Sequence, residues 1–243
     1  MNTDVLCQLR SLWKTVFGDS DSFLDIFFDL AYSPDRCRYR EEDGRIVTAL
    51  YWFDCRYPGG KLAYIYAVAT LPEYRGKGLA SRLLEETHSH LKELGYAGAV
   101  LKPAKGLFPF YEKLGYRNSG YIRRFPAEAA PVSAKIRRVS AQEYGRLRRK
   151  YLPENAVIQE GVTLEFLHSM TELYAAADAL ICALPQEQTV FEYLGDPHSA
   201  PGILAALGIP SAQIPTLGDE IPFTMFFPLN CTKIPGYLGI SLE

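Results

Sequence analysis

The residues with the clearest chemical meaning lie in Ala67-Val-Ala-Thr-Leu-Pro-Glu-Tyr-Arg-Gly-Lys-Gly-Leu-Ala-Ser81, which reads as a strand, a loop carrying Gly76 and Gly78, and the first turn of an amphipathic helix. The first amides of a helix have no intrahelical partner. Glycines let a ligand come close to them, and the helix dipole adds positive potential. Such a junction binds anions; the bland alternative is a glycine-rich turn with a solvated Arg75-Gly76-Lys77. Two nucleotide motifs fail on specific residues. Gly76-Lys77-Gly78 does not supply the Gly-x-x-x-x-Gly-Lys-Ser/Thr of a Walker loop. Ser81 stands where a dinucleotide fold would need its third glycine, Pro72 lengthens the turn, and the next strand ends at Leu101-Lys102 with no acid.

Other reactive side chains form no constellation. Cys7, Cys37, Cys55, Cys182 and Cys231 are odd in number and scattered, with no Cys-x-x-Cys pair and no histidine at ligand spacing. No metal is expected, and the thiols are expected to be reduced and mostly buried, as in a cytoplasm. His88 and His90 lie two apart on a helix and cannot face one site, while His168 and His198 have no companions.

Arg75-x-x-Gly78-x-Ala80 resembles the Gln/Arg-x-x-Gly-x-Gly/Ala signature of the GNAT family of acyl-CoA-dependent N-acyltransferases, with the preceding strand and Pro72-Glu73-Tyr74 in register. Phe110-Tyr-Glu-Lys-Leu-Gly-Tyr116 is similar to that family's second motif, one intervening strand later. The resemblance covers roughly residues 4–125, without the customary first strand. It implies that the amides of Arg75, Gly76, Lys77, Gly78, Leu79 and Ala80 hold the CoA pyrophosphate, with Ser81 able to add a hydroxyl. The backbone of Val68, Ala69 and Thr70 would run beside the pantetheine, an amide there polarising the thioester carbonyl. The implied cosubstrate is acetyl-CoA, with no metal. A neutral primary amine attacks directly, and the tetrahedral intermediate expels a thiolate.

Tyr111 occupies the motif position that protonates this thiolate in many relatives, which a phenol still protonated at neutral pH can do. Its alternative role is packing the helix on the sheet, as Phe108 and Phe110 do. The base is open: Leu62–Ala69 contains no acid where many relatives carry a glutamate, only Tyr64 and Tyr66. Glu41, Glu42 or a water relayed by a tyrosine are the candidates, whereas Glu73 and Glu112 read as surface members of the motifs.

These groups need a scaffold, and the chain can build one. Its 243 residues are 48% hydrophobic and 22% charged, the composition of a globular protein. Lys+Arg 26 against Asp+Glu 28 leaves a net charge of −2, which argues against a nucleic-acid binder. The N-terminus shows no signal-peptide pattern, and the longest uncharged stretch, Pro197 to Gly218, is broken by prolines, so no membrane association is expected and the location is read as cytoplasmic.

Apolar spacing predicts a helix over residues 4–17 and a second, capped by Ser22 with Asp25, carrying Phe23, Ile26, Phe27 and Leu30. Arg36 to Ala69 reads as three antiparallel strands turning at Asp43-Gly44 and Pro58-Gly59-Gly60. A helix over about 78–94, a strand at 97–101, a helix at 107–114 and a strand near 116–125 follow. The fold class is α/β: a GNAT-like mixed, mostly antiparallel sheet flanked by helices, with a second, smaller α/β unit of duplicated topology.

The expected organisation is an acyl-CoA-binding domain over residues 1–125, a Pro/Ala-rich linker over 126–131, and a degenerate GNAT-like domain over 132–243. In the second half Ser140 and Glu143 cap a helix reaching about Tyr151, and Val162–Met170 makes another. Leu173–Leu184 and Thr189–Leu194 read as strands and Pro201–Leu207 as a helix, repeating the order of residues 4–94; the alternative is two unrelated αβ segments. Phe223–Leu229 and Tyr237–Leu242 read as strands. Gly195-Asp-Pro-His-Ser-Ala-Pro-Gly202 offers no cation and puts Asp196 where a phosphate would lie, so this half is expected to shape the acceptor site without binding CoA. The basic cluster Arg137-Arg138 and Arg146–Lys150 reads as a solvated face. The function expected is transfer of acetyl from acetyl-CoA to a small-molecule or peptide amine; the alternative is a catalytically inactive acyl-CoA-sensing or interaction protein.

Overall fold

The computed structural model describes residues 3–241. Helix α1 (Thr3–Phe17) is followed by α2 (Asp21–Ile26), which widens into a π-type turn over Phe27–Ala31. Three antiparallel strands come next: β1 (Cys37–Glu42), β2 (Arg45–Tyr57) and β3 (Gly60–Thr70). Helix α3 (Leu79–Glu93) crosses to β4 (Gly98–Leu101), which runs parallel to β3, and α4 (Phe108–Lys113) leads to β5 (Arg117–Glu128). The second half contains β6 (Arg137–Arg138), α5 (Ala141–Arg148), β7 (Ile158–Gln159), α6 (Val162–Met170), β8 (Glu172–Ala175), β9 (Ala179–Leu184), β10 (Thr189–Gly195), α7 (Ala200–Leu207), β11 (Ser211–Leu217) and β12 (Ile221–Pro228). No helix among the described residues is long and apolar enough to cross a membrane.

All strands join one sheet, ordered β1-β2-β3-β4-β12-β5-β11-β10-β9-β8-β6, with β7 paired to β2. The halves share a local plan. An antiparallel pair, β2–β3 or β9–β10, is followed by a helix and by a strand parallel to the second member, β4 or β11. The strands that follow are exchanged across the middle: β12 lies between β4 and β5, and β5 lies between β12 and β11.

Strand β2 shows why the sheet is covered on both faces. Side chains alternate across a strand, and here both sets are buried. Leu50 and Trp52 pack with Leu83, Leu84 and Leu91 of α3, while Tyr51 and Phe53 pack with Leu9, Leu12 and Trp13 of α1 and with Phe27. Phe166 of α6 enters this second cluster, its ring 5.9 Å from Phe23, 5.5 Å from Phe27 and 5.7 Å from Phe53. The second half therefore contributes to the aromatic core of the first.

Several local expectations change. The cap of α2 is Ser20, whose hydroxyl accepts the Phe23 amide at 3.2 Å, not Ser22. Pro126–Glu128, expected to begin a linker, extend β5 and pair with Ser211–Gln213. Strand β11 was not expected at all, because Pro210 and Pro215 argue against a strand in an interior position. Its neighbour β10 meets it at a single register position, Tyr193 with Thr216, and β5 supplies the long pairing. Leu173–Leu184 is a hairpin of two strands. Tyr237–Ser241 form no strand, and Leu242 lies outside the described residues. Their backbone is held by a backbone bond, the Val157 amide donating to the Tyr237 carbonyl at 2.8 Å, and by side chains: Arg148 Nη2 donates to the Leu238 carbonyl at 2.7 Å and Gln159 Nε2 to that of Ile240 at 2.8 Å.

Within the basic cluster Arg148 is the exception. It is fully buried, bonded through Nε and Nη2 to Glu192, which also accepts from the Tyr144 and Tyr237 hydroxyls, each at 2.9 Å. Two opposite charges removed from water persist only when matched in this way. Arg137, Arg138 and Arg149 pair with Glu143, Glu172 and Glu160 at the surface.

Candidate active site

Strands β3 and β4 pair only from Leu62–Gly98 to Tyr64–Val100. Beyond that point β3 continues to Thr70 while β4 ends at Leu101, so the two part and leave a wedge. A bulge makes the departure sharper. Opposite Leu50, β3 carries both Ala67 and Val68, and Ala67 takes a left-handed φ of 49°. A bulge adds twist and re-aims the backbone.

A cavity of about 270 Å³ occupies the wedge. One wall is β3, from Tyr64 to Val68. The facing wall is Leu101–Lys105 with Leu107 and Tyr111, and Trp13, Phe17, Asp19 and Phe23 close the side toward α1 and α2. Ser241, from the far end of the described chain, completes the lining and accepts the Tyr64 hydroxyl at 3.2 Å.

Tyr111 is placed by α4. It is 6% exposed, with its ring 5.0 Å from Phe110 and 5.5 Å from Tyr116, so it packs and also reaches the cavity. Burial pushes its hydroxyl up to about 12, and that of Tyr64 likewise. Burial also raises Tyr66, so the phenols facing the cavity stay protonated at neutral pH. Lys102 is lowered to about 8 by burial and then by Arg124, and its ammonium lies 5.1 Å from the centre of the Phe223 ring.

The loop from Leu71 ends in the N-terminus of α3. Gly76 and Gly78 have φ of 76° and 73°, and a side-chain carbon at either would meet no atom within 4 Å. Gly78 is the N-cap; no side chain caps the helix and its first turn holds no acid. The opening amides of a 15-residue helix thus follow an open loop that carries the exposed Arg75 and Lys77, with the exposed Arg82 on the first turn; Arg82 and Lys77 are joined by an Arg82–Lys77 carbonyl bond of 3.2 Å. Arg75 Nε donates to the Thr70 carbonyl at 3.2 Å, and Lys77 lies 4.5 Å from the Tyr74 ring centre. Glu73 pairs with Arg45 at 2.9 Å, away from this role.

The expected site residues separate into groups. Val68 and Tyr111 line the cavity; Gly76, Lys77 and Gly78 form the exposed cradle, followed by the half-buried Ala80 and Ser81. Leu79 sends its side chain into the core, leaving only its amide for a ligand. Ala69 is buried and Thr70 half-buried, and neither side chain lines the cavity. Thr48 Oγ1 donates to the Ala69 carbonyl at 2.7 Å and shares a 2.9 Å hydrogen bond with Thr70 Oγ1. Glu41 and Glu42 lie at the end of β1 and do not line the cavity; among the described residues the carboxylate on its lining is Asp19. Asp19, Lys102 and Ser241 belong to no motif, so nothing in the sequence singles them out.

In the second half the corresponding junction is closed by its own side chains. Asp196 Oδ1 accepts the His198 amide at 2.9 Å, and Ser199 donates to Asp178 at 2.5 Å. No group of three or more His, Cys, Asp or Glu suited to a metal occurs among the described residues.

This wedge-and-helix architecture defines an acyltransferase-like α/β fold, and comparison with known proteins agrees. Residues 1–118 match the family model described as an acetyltransferase (GNAT) domain, so the N-terminal half of the chain is a GNAT-family domain. A comparison with curated protein sequences finds no match. Among solved structures, a GNAT protein from Anabaena variabilis is 15% identical with a TM-score of 0.71, covering 94% of this chain and 71% of that one. One from Kribbella flavida is 16% identical at 0.65, covering 93% and 70%. Eis1 from Mycobacterium abscessus is 11% identical at 0.63, covering 95% and 73%. At such identities the likeness is one of fold, and it extends over both halves.

Proposed function

We propose that this protein transfers acetyl from acetyl-CoA to a primary amine. The observation that carries the reading is the placement of Tyr111 and Val68 on one cavity in the β3–β4 wedge, beside an uncapped helix N-terminus lined by glycines. The cradle suits a pyrophosphate: the amides from Gly76 to Ala80 donate, that of Arg75 being given to the Pro72 carbonyl at 3.2 Å, while Arg75 and Lys77 add charge and Ser81 stands ready on the same turn. Acetyl-CoA supplies the thioester. The backbone at Val68–Thr70, entered through the Ala67–Val68 bulge, orients it and offers an amide to its carbonyl oxygen. The neutral amine attacks from the α1–α2 side, and Tyr111, kept protonated by burial, gives its proton to the departing thiolate.

Incubating the full chain with acetyl-CoA and a panel of primary amines, while following free thiol, tests this. Amine-dependent thiol release is expected. Tight CoA binding with no release toward any amine would favour an acyl-CoA-sensing protein, a reading supported by the lack of an acid in Leu62–Ala69. Failure to bind CoA would overturn both.

A further inference from the structure

The side of the cavity built by α1 and α2 has its own chemistry. Four aromatic rings surround it: Trp13 lies 5.6 Å from Phe17, 5.9 Å from Phe23 and 5.8 Å from Tyr66, centre to centre. In the turn between the two helices sits Asp19, half-buried, whose Oδ2 accepts the Trp13 indole N–H at 2.8 Å. A carboxylate accepts from several donors at once, so this bond aims Asp19 without exhausting it. The cations on the lining, Lys102 and Lys105, belong to the Leu101–Lys105 wall and not to the α1–α2 side.

We infer that the acceptor is a small amine with an apolar body, bound as its ammonium ion with Asp19 as counter-ion and the rings of Trp13, Phe17, Phe23 and Tyr66 around its carbons. This rests on the reading of the cavity as an acetyl-acceptor site. An ammonium gains both from the carboxylate and from aromatic faces, which attract cations. A neutral acceptor would shield Asp19 from water and give nothing back, a costly exchange. The two lysines repel a cation, so the charged end turns toward Asp19. Before attack the ammonium passes its proton to water, giving the neutral amine that acetyl transfer needs; Asp19 is assigned to recognition of the charged form.

The test uses full-length protein saturated with CoA and three probes: 2-phenylethylamine, the neutral 2-phenylethanol and the carboxylate-bearing L-phenylalanine. Calorimetry should show 2-phenylethylamine binding at least tenfold tighter than either. Asp19→Asn keeps an oxygen for Trp13 but loses the charge; it should abolish that preference, raise KM for the amine tenfold or more, and leave kcat and CoA affinity nearly unchanged. An unaltered preference in Asp19→Asn, or tighter binding of L-phenylalanine, would overturn the inference while leaving acetyl transfer standing. Loss of CoA binding by the wild-type chain would instead strike the underlying reading. Should Asp19→Asn disturb the fold, Phe17→Ala decides, since that ring is 44% exposed and removable: a severalfold weaker amine affinity supports the inference, and an unchanged one opposes it.

Discussion

Substitutions at two positions test the proposed division between binding and chemistry. Tyr111→Phe keeps the ring that packs on Phe110 and Tyr116 and removes only the hydroxyl at the cavity. Turnover of acetyl transfer is expected to fall by roughly 10² to 10⁴ with CoA affinity unchanged, the pattern for losing a general acid. Steady-state kinetics beside a CoA titration measures both; wild-type turnover would leave Tyr111 with a packing role alone. Gly78→Asp acts at the other end of the cosubstrate. Nothing lies within 4 Å of the added carbon, so the cost to the apo protein is the left-handed φ of 73°, about 1 kcal/mol. The new carboxylate would stand where the proposed reading puts the CoA phosphates. CoA at a hundredfold excess over its Kd should stabilise the wild type by about 2.7 kcal/mol, and thermal unfolding should show that shift vanish in the variant.

At the scale of elements, α3 is joined to the exchanged strand β12 through a buried histidine. The His88 ring stacks on Phe227 at 4.1 Å and shares a 2.7 Å hydrogen bond with the Tyr116 hydroxyl. Burial lowers its pKa to about 4 from 6.5. In the unfolded chain His88 gains a proton as pH falls through 6.5, while in the folded chain it stays neutral until about 4. Stability is therefore unaffected above 6.5 and declines between 6.5 and 4, by about 1.4 kcal/mol per unit at the steepest. Urea unfolding across that range should show the decline, and His88→Gln should flatten it while lowering stability throughout. The same packing fixes the seat of β12. Any side chain at Gly98 would collide with the Phe226 ring at 2.1 Å, so a glycine is what lets the strand close against β4.

For the molecule as a whole, the exchange of β5 and β12 makes the halves interdependent. Both neighbours of β5 in the sheet come from beyond residue 210, and β4 loses one edge when β12 is absent. A fragment of residues 1–131 would also lose Phe166 from the aromatic cluster and Ser241 from the cavity. It is expected to be insoluble or molten, with no CoA-dependent stabilisation, as expression and circular dichroism would show. A soluble, fully active fragment would contradict this. The full chain is expected to bind one CoA, because Asp196 caps the second junction and its segment 195–202 carries no Lys or Arg; a stoichiometry near two by calorimetry would refute that assignment.

Most helices and strands were legible because their causes are local. Leucine spacing in α3, the Ser140 cap of α5 and the Asp43-Gly44 turn act over a few residues, and so does the glycine cradle with its Arg75-x-x-Gly78-x-Ala80 spacing. Tyr111 was legible through its place in a short motif. What stayed hidden depends on groups far apart in the chain. Prolines concealed β11, because only its long pairing with β5 compensates for them. Arg148 read as a surface charge until Glu192, Tyr144 and Tyr237 surrounded it. Asp19, Lys102 and Ser241 carry no local signature, and the cavity they line exists because β3 and β4 separate after Tyr64 and Val100. Short-range order is set by neighbouring residues, whereas strand pairing and convergence on a cavity are decided by which distant surfaces bury one another.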